Sequence, residues 1–415
     1  MSIFANEDEM QEWMEERLEE VEGLHELILN TDDISKFIPT NTPEQKIKDS
    51  FISCLNGLHI TNVISKNENI SNKNGDVLKP DILAYAPEKE AIVIIELKNF
   101  GNATREAGTE LSAYAAEVKT SLDHLSDGDI ISIIVSPKWP TLIKHHLYNA
   151  IVWQNKNILC LEPIMKGDDI FLKVVDIQTL VQGIPPEKFS EQQLAAYTIC
   201  LYDDTQQSHT PPPTKMHGQL PLMLASIDTI ATKGEKINSH GFAFLSKEKL
   251  GFGLSPYFIH VVSIAPFKCL ERILHTNEIS TYDDLPKMTK KYIDIYMEHS
   301  PYGYGSNMDS IINTSLEFLN NICSPHIEGL TTWEIIKEEF DSLRWEPLYF
   351  TSWGLFKDIA INKLGVEYCC GNTNLNINSV KLGLDVVNET IDVNHRYIEI
   401  QSMHESFFPE GYFDD

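Results

Sequence analysis

Residues 78–98 read Leu78-Lys79-Pro80-Asp81-Ile82-Leu83-Ala84-Tyr85-Ala86-Pro87-Glu88-Lys89-Glu90-Ala91-Ile92-Val93-Ile94-Ile95-Glu96-Leu97-Lys98. Two apolar runs flank a break at Pro87–Glu90, the pattern of two strands joined by a tight turn. Side chains alternate faces along a strand, so Glu96 and Lys98 share one face while Leu97 points the other way. Asp81 opens the first run. If the runs pair as a hairpin, the start of the first lies beside the end of the second, and Asp81 comes towards Glu96.

Two carboxylates converging at a sheet edge make a hard-oxygen site of the kind that holds Mg²⁺ or Mn²⁺ and leaves positions for water and a phosphate oxygen. A lysine beside them can orient the attacking water and offset charge on a phosphorane. Strand ends often carry Glu or Lys simply because ends are solvated. That reading leaves unexplained why both charges sit at the tip of so apolar a strand.

The pattern resembles the PD-(D/E)xK nuclease superfamily, and the surrounding elements agree with it. A helix starting at Thr42-Pro43-Glu44-Gln45 precedes the site, followed by a strand over Leu58–Ile64, the hairpin, a helix from about Ala103 to Leu125 and a strand over Ile130–Ser136. The resemblance covers about residues 40–165 and implies a restriction-endonuclease-like mixed sheet flanked by helices. It also implies that Asp81 and Glu96 hold the metal, that Lys98 is the catalytic lysine, and that Glu44 supplies the first-helix carboxylate many members add. Where many relatives carry Q-x-x-x-Y on the following helix, this chain has Glu110 and Tyr114 as accessory residues. A glutamate there adds a metal ligand or repels phosphate.

Composition pulls against a simple nuclease. The net charge is −28 over 415 residues, whereas nucleic-acid affinity comes mostly from Lys and Arg on phosphates. Residues 1–33 hold twelve Asp or Glu against the single Arg17. Lys66, Lys73, Lys79, Lys89, Arg105 and Lys119 make the balance near the hairpin milder. The seven cysteines are scattered without a CxxC pair, which argues against a zinc site or disulfide framework and points to reducing cytoplasm. No secretory signal or membrane-length apolar run is visible, so no membrane partner is expected.

Helical spacing of apolar residues predicts an acidic amphipathic helix over 7–30 within an N-terminal segment 1–40. The nuclease-like domain is expected over 41–202 and closes with a helix from Pro186 to Leu201. Pro211-Pro212-Pro213 marks a linker over 203–221. Residues 222–415 read as a mainly helical α+β domain of unrecognised type, with short strands near Ser239–Leu245 and helices over Pro266–His275, Thr289–His299, Asn307–Cys323, Thr332–Leu343 and Trp353–Leu364. The tail Phe407–Asp415 combines aromatics with acids and suits autoinhibition or partner docking.

The expected function is metal-dependent hydrolysis of nucleic acid, DNA rather than RNA, by a regulated defence effector, with a homo-oligomer or regulatory protein as a further partner. The rival expectation is a non-catalytic acidic interaction protein or DNA mimic on the same fold.

Overall fold

The computed structural model describes residues 3–71, 77–99, 104–183, 188–202, 216, 218–251, 255–276, 278–299, 305–391 and 397–399. The chain is α/β and divides into two compact units, Met1–Pro185 and Pro186–Asp415. Among the described residues no helix is long and apolar enough to cross a membrane.

In the first unit, helices α1 (Glu7–Glu20), α2 (Thr31–Lys36) and α3 (Thr42–Leu55) precede strands β1 (Asn62–Lys66), β2 (Ile82–Ala86) and β3 (Ala91–Leu97). Then follow α4 (Thr104–Ser121), β4 (Ile130–Val135), α5 (Thr141–Tyr148), β5 (Ile158–Lys166), β6 (Asp169–Val174) and α6 (Ile177–Leu180). The strands form a mixed six-stranded sheet in the order β1-β2-β3-β4-β5-β6. β2 and β3 make the antiparallel hairpin, with Ile82 opposite Ile95. β3–β4 and β4–β5 are parallel, as helical crossovers through α4 and α5 require. Every residue of β3 and β4 is buried, the mark of strands covered on both faces. α3 packs on β5, and α4 on β3 and β4.

The helix expected over 7–30 stops earlier. α1 ends at Glu20, and a short 3₁₀ turn, Leu24–Leu27, leads to α2. Gly23 explains the break: a Cβ there would lie 2.1 Å from the His59 carbonyl oxygen, so the chain runs backbone against backbone where a helix cannot. Met10, Met14 and Leu18 of α1 are buried in the core of this unit. α3 is capped by the Asn41 side chain accepting from the Glu44 N–H.

The helix expected over Pro186–Leu201 is a correction. Leu194–Tyr202 is a strand, β7, paired with β9 (Tyr257–Ile264) and β11 (Ser324–Thr331) in the second unit. Its β-branched and aromatic residues pack on both faces of a sheet, where burial overrides weak helical spacing. Residues 186–202, read as the close of the first domain, thus build the second unit. Most of the expected linker, 203–215 and 217, and the tail 407–415 lie outside the described residues.

The second unit has α7 (Leu220–Lys236), β8 (Gly241–Glu248), β9, β10 (Arg272–Leu274), α8 (Lys287–His299), α9 (Asn307–Leu319), β11, α10 (Trp333–Asp341), β12 (Trp345–Trp353), α11 (Leu355–Cys369), α12 (Val380–Thr390) and β13 (Tyr397–Glu399). Five strands form an antiparallel sheet in the order β11-β7-β9-β8-β12, and β10 pairs with β13. One face packs Ala243, Leu245, Ile259 and Val261 against α7 and α9; the other packs Phe242, Phe244, Val262 and Phe350 against α10, α11 and α12. The helix expected over Pro266–His275 contains the short strand β10, and Trp353, expected to open a helix, ends β12.

Candidate active site

The hairpin register places Asp81 one residue before Ile82, across from the end of β3. Its Oδ2 accepts a hydrogen bond from the Leu97 N–H at 2.6 Å. Asp81 is therefore clamped to the strand that carries Glu96 and Lys98. The ladder to β4 continues beyond β3, because the Lys98 N–H donates to the Val135 carbonyl at 2.9 Å. Lys98 is thus held by strand geometry and not by a free loop.

Both side chains of the E-x-K are buried, Glu96 at 2% exposure and Lys98 at 5%. The Lys98 Nζ lies 2.6 Å from Glu96 Oε1, 3.0 Å from Glu110 Oε2 and 3.5 Å from Glu7 Oε1. Glu110 comes from α4 and Glu7 from the first turn of α1. Tyr114, one turn after Glu110, is buried and donates its hydroxyl to the Lys79 carbonyl at 3.0 Å. That bond fixes the chain two residues before Asp81. Asn99 is 1% exposed, and its Nδ2 donates to the Phe4 carbonyl at 3.1 Å, seating the approach to α1.

Four acids thus surround one ammonium. Burial is the largest influence on Glu96 and raises its pKa, and the neighbouring Asp81 charge raises it further. Burial likewise raises Asp81, against the Leu97 N–H and Lys98, which lower it. Burial by itself would lower Lys98, but Glu96, Glu110 and Glu7 outweigh it and hold the ammonium charged. Two desolvated carboxylates that resist ionisation even beside a permanent cation are short of positive charge.

The donor set fits a hard divalent cation. Glu96 Oε2 is buried without a hydrogen-bond partner among the described residues, and such an atom demands a partner. Asp81 and Glu96 would hold the ion. No group of three or more His, Cys, Asp or Glu side chains is arranged to hold a metal among the described residues.

Glu44 is placed elsewhere. Its carboxylate accepts from the Thr40 N–H at 2.7 Å, the Asn41 side chain at 2.8 Å and Gln178 Nε2 at 2.7 Å, closing the start of α3. Those bonds lower its pKa against the opposing effect of burial. The structure brings together Asp81, Glu96, Lys98, Glu110 and Tyr114, and in place of Glu44 it adds Glu7. In the sequence Glu7 is one acid of an acidic helix, and nothing in the spacing of residues so far apart connects it to Lys98.

No protein-family model, curated protein or solved structure matches the chain.

Proposed function

We propose that the first unit is a metal-dependent phosphodiesterase of the PD-(D/E)xK type, a nuclease acting on DNA in preference to RNA. The observation that carries this reading is the Asp81–Glu96–Lys98 cluster: a carboxylate oxygen buried without a hydrogen-bond partner among the described residues, a second clamped carboxylate and an ammonium 2.6 Å from the first. A scaffold has no physical need for this arrangement, because a buried unsatisfied carboxylate costs stability.

Asp81 and Glu96 would hold Mg²⁺ or Mn²⁺, which when bound supplies a Lewis acid for the phosphoryl oxygen and lowers the pKa of a water. Lys98 would orient the attacking water and offset charge as the water oxygen bonds to phosphorus and the P–O bond to the leaving group breaks, the water's proton passing to solvent and the leaving oxygen taking one up as a hydroxyl. Glu110 and Glu7 hold the ammonium in place. Tyr114, through the Lys79 carbonyl, fixes the entry to β2. The products are a 5′-phosphate and a free hydroxyl. The acidic surface suits an enzyme held in check until triggered, as in cytoplasmic defence against foreign DNA.

The second reading is a non-catalytic acidic interaction protein, favoured by the net charge of −28 and by a lysine already matched with Glu7 and Glu110. Incubation with plasmid, linear duplex, single-stranded DNA and RNA in Mg²⁺ or Mn²⁺ decides between them. Degradation abolished by EDTA and by Lys98→Ala supports the nuclease. Silence on every substrate, with no metal-dependent thermal shift that Asp81→Asn removes, supports the interaction protein.

A further inference from the structure

β1 ends the six-stranded sheet, and among the described residues no strand lies along its outer edge. The opposite edge is covered, since the Leu29 N–H donates to the Leu172 carbonyl of β6 at 3.0 Å. Beside β1 runs an open groove of about 830 Å³ between the end of α1 and residues 60–66. The Thr61 N–H donates to the Glu22 carbonyl at 2.9 Å and joins its two walls.

Two features of the groove point to an occupant. Ile60 and Ile64 are 39% and 53% exposed, and an open strand edge with apolar side chains is a template for another strand. The rim is acidic, with Glu19, Glu22 and Glu68 lining it. The lysine there, Lys66, is held by Glu19 at 2.6 Å and by Glu15 at 3.8 Å. Surplus negative charge therefore surrounds the open strand edge.

We propose that this edge binds an extended basic segment of a partner protein as an added strand. Main-chain bonds to β1 would supply affinity, alternate apolar residues would cover Ile60 and Ile64, and Lys or Arg between them would meet the glutamates. A second copy of this chain would bring the same acids face to face, and a nucleic acid would be repelled. The irregularity between Val63 and Ser65 limits the seat to a short segment. The proposal is independent of the nuclease reading.

The test uses the full chain and a fluorescent synthetic peptide in which Lys and Val alternate, with an Asp/Val counterpart, followed by anisotropy at near-physiological salt. The Lys/Val peptide is expected to bind and the Asp/Val peptide not to. Glu22→Lys combined with Glu68→Lys, and separately Ile64→Lys, should each weaken binding at least about tenfold, while unchanged melting curves show that the fold is intact. Glu367→Lys, a charge reversal in the second unit, should leave affinity unchanged. Equal weakening by Glu367→Lys would make the binding non-specific and overturn the proposal. So would absence of binding, indifference to all three groove substitutions, or self-association of the chain abolished by Ile64→Lys, which would make a second copy the occupant.

Discussion

Asp81 and Lys98 respond to substitution in opposite ways. Asp81→Asn keeps an acceptor for the Leu97 N–H but removes a charge whose burial raises the carboxyl pKa. In the metal-free protein at neutral pH it is expected to raise stability by on the order of 1–3 kcal/mol, read as a higher denaturation midpoint, while cleavage falls by about 10²–10³-fold or more. Lys98→Ala leaves the buried Glu96 without its ammonium, beside the half-buried Glu110. It should lower stability by about 3–5 kcal/mol as well as abolish cleavage. A site whose acid resists its own ionised state is a cost to the fold that catalysis would explain.

His260 provides the pH dependence. It is fully buried, its Nδ1 lies 2.9 Å from Thr198 Oγ1, its Nε2 lies 2.7 Å from Ser246 Oγ, and Trp345 stacks on its ring. Burial pushes its pKa down to about 3. A base with a depressed folded-state pKa binds protons more readily when unfolded, so its neutral-form stability is present above the unfolded value near 6.5 and is lost as pH falls towards 3. The second unit should lose on the order of a few kcal/mol across that window. His260→Gln should flatten this acid limb in unfolding measured from pH 7 to pH 4.

At the scale of elements, two glycines have contrasting expectations. Gly23→Ala would drive a Cβ into the His59 carbonyl, a backbone group that cannot give. It should cost about 3 kcal/mol or more and loosen α1 from the core. Gly365 lies inside α11 with open space where a methyl group would sit, so Gly365→Ala should stabilise by about 0.5–1 kcal/mol. Chemical denaturation of both variants checks the pair. The difference arises from packing, since both are isolated glycines with no turn partner beside them in the chain. α1 matters most among the elements because it performs two tasks. Met10, Met14 and Leu18 bury its apolar stripe, and its first turn delivers Glu7 to Lys98.

At the scale of the whole molecule, each unit has its own core. Calorimetry should resolve two transitions, one raised by Mg²⁺ or Mn²⁺ and one lowered by acid through His260. With a net charge of −28, binding of DNA should depend weakly on salt, with a log–log slope of magnitude below about 3. A steep slope measured for the Lys98→Ala protein would show a phosphate-contacting groove that the composition does not suggest. The hairpin over residues 78–98 was legible from sequence because its determinants are local: alternation, a turn at Pro87–Glu90 and continuous burial of β3. The same locality brought Asp81, Glu96 and Lys98 together, whereas Glu110 and Tyr114, on the next helix, joined them only through the resemblance to the nuclease superfamily. Long-range packing decided the rest. It placed Glu7 at the lysine, drew Glu44 into the cap of α3 through Gln178, ended α1 where Gly23 meets His59, and turned Leu194–Tyr202 into a central strand by pairing it with β9 and β11. Hydrophobic period and turn chemistry act over a few residues and are written in the chain, whereas the partner of a charge or a strand depends on which distant residues the folded core brings beside it.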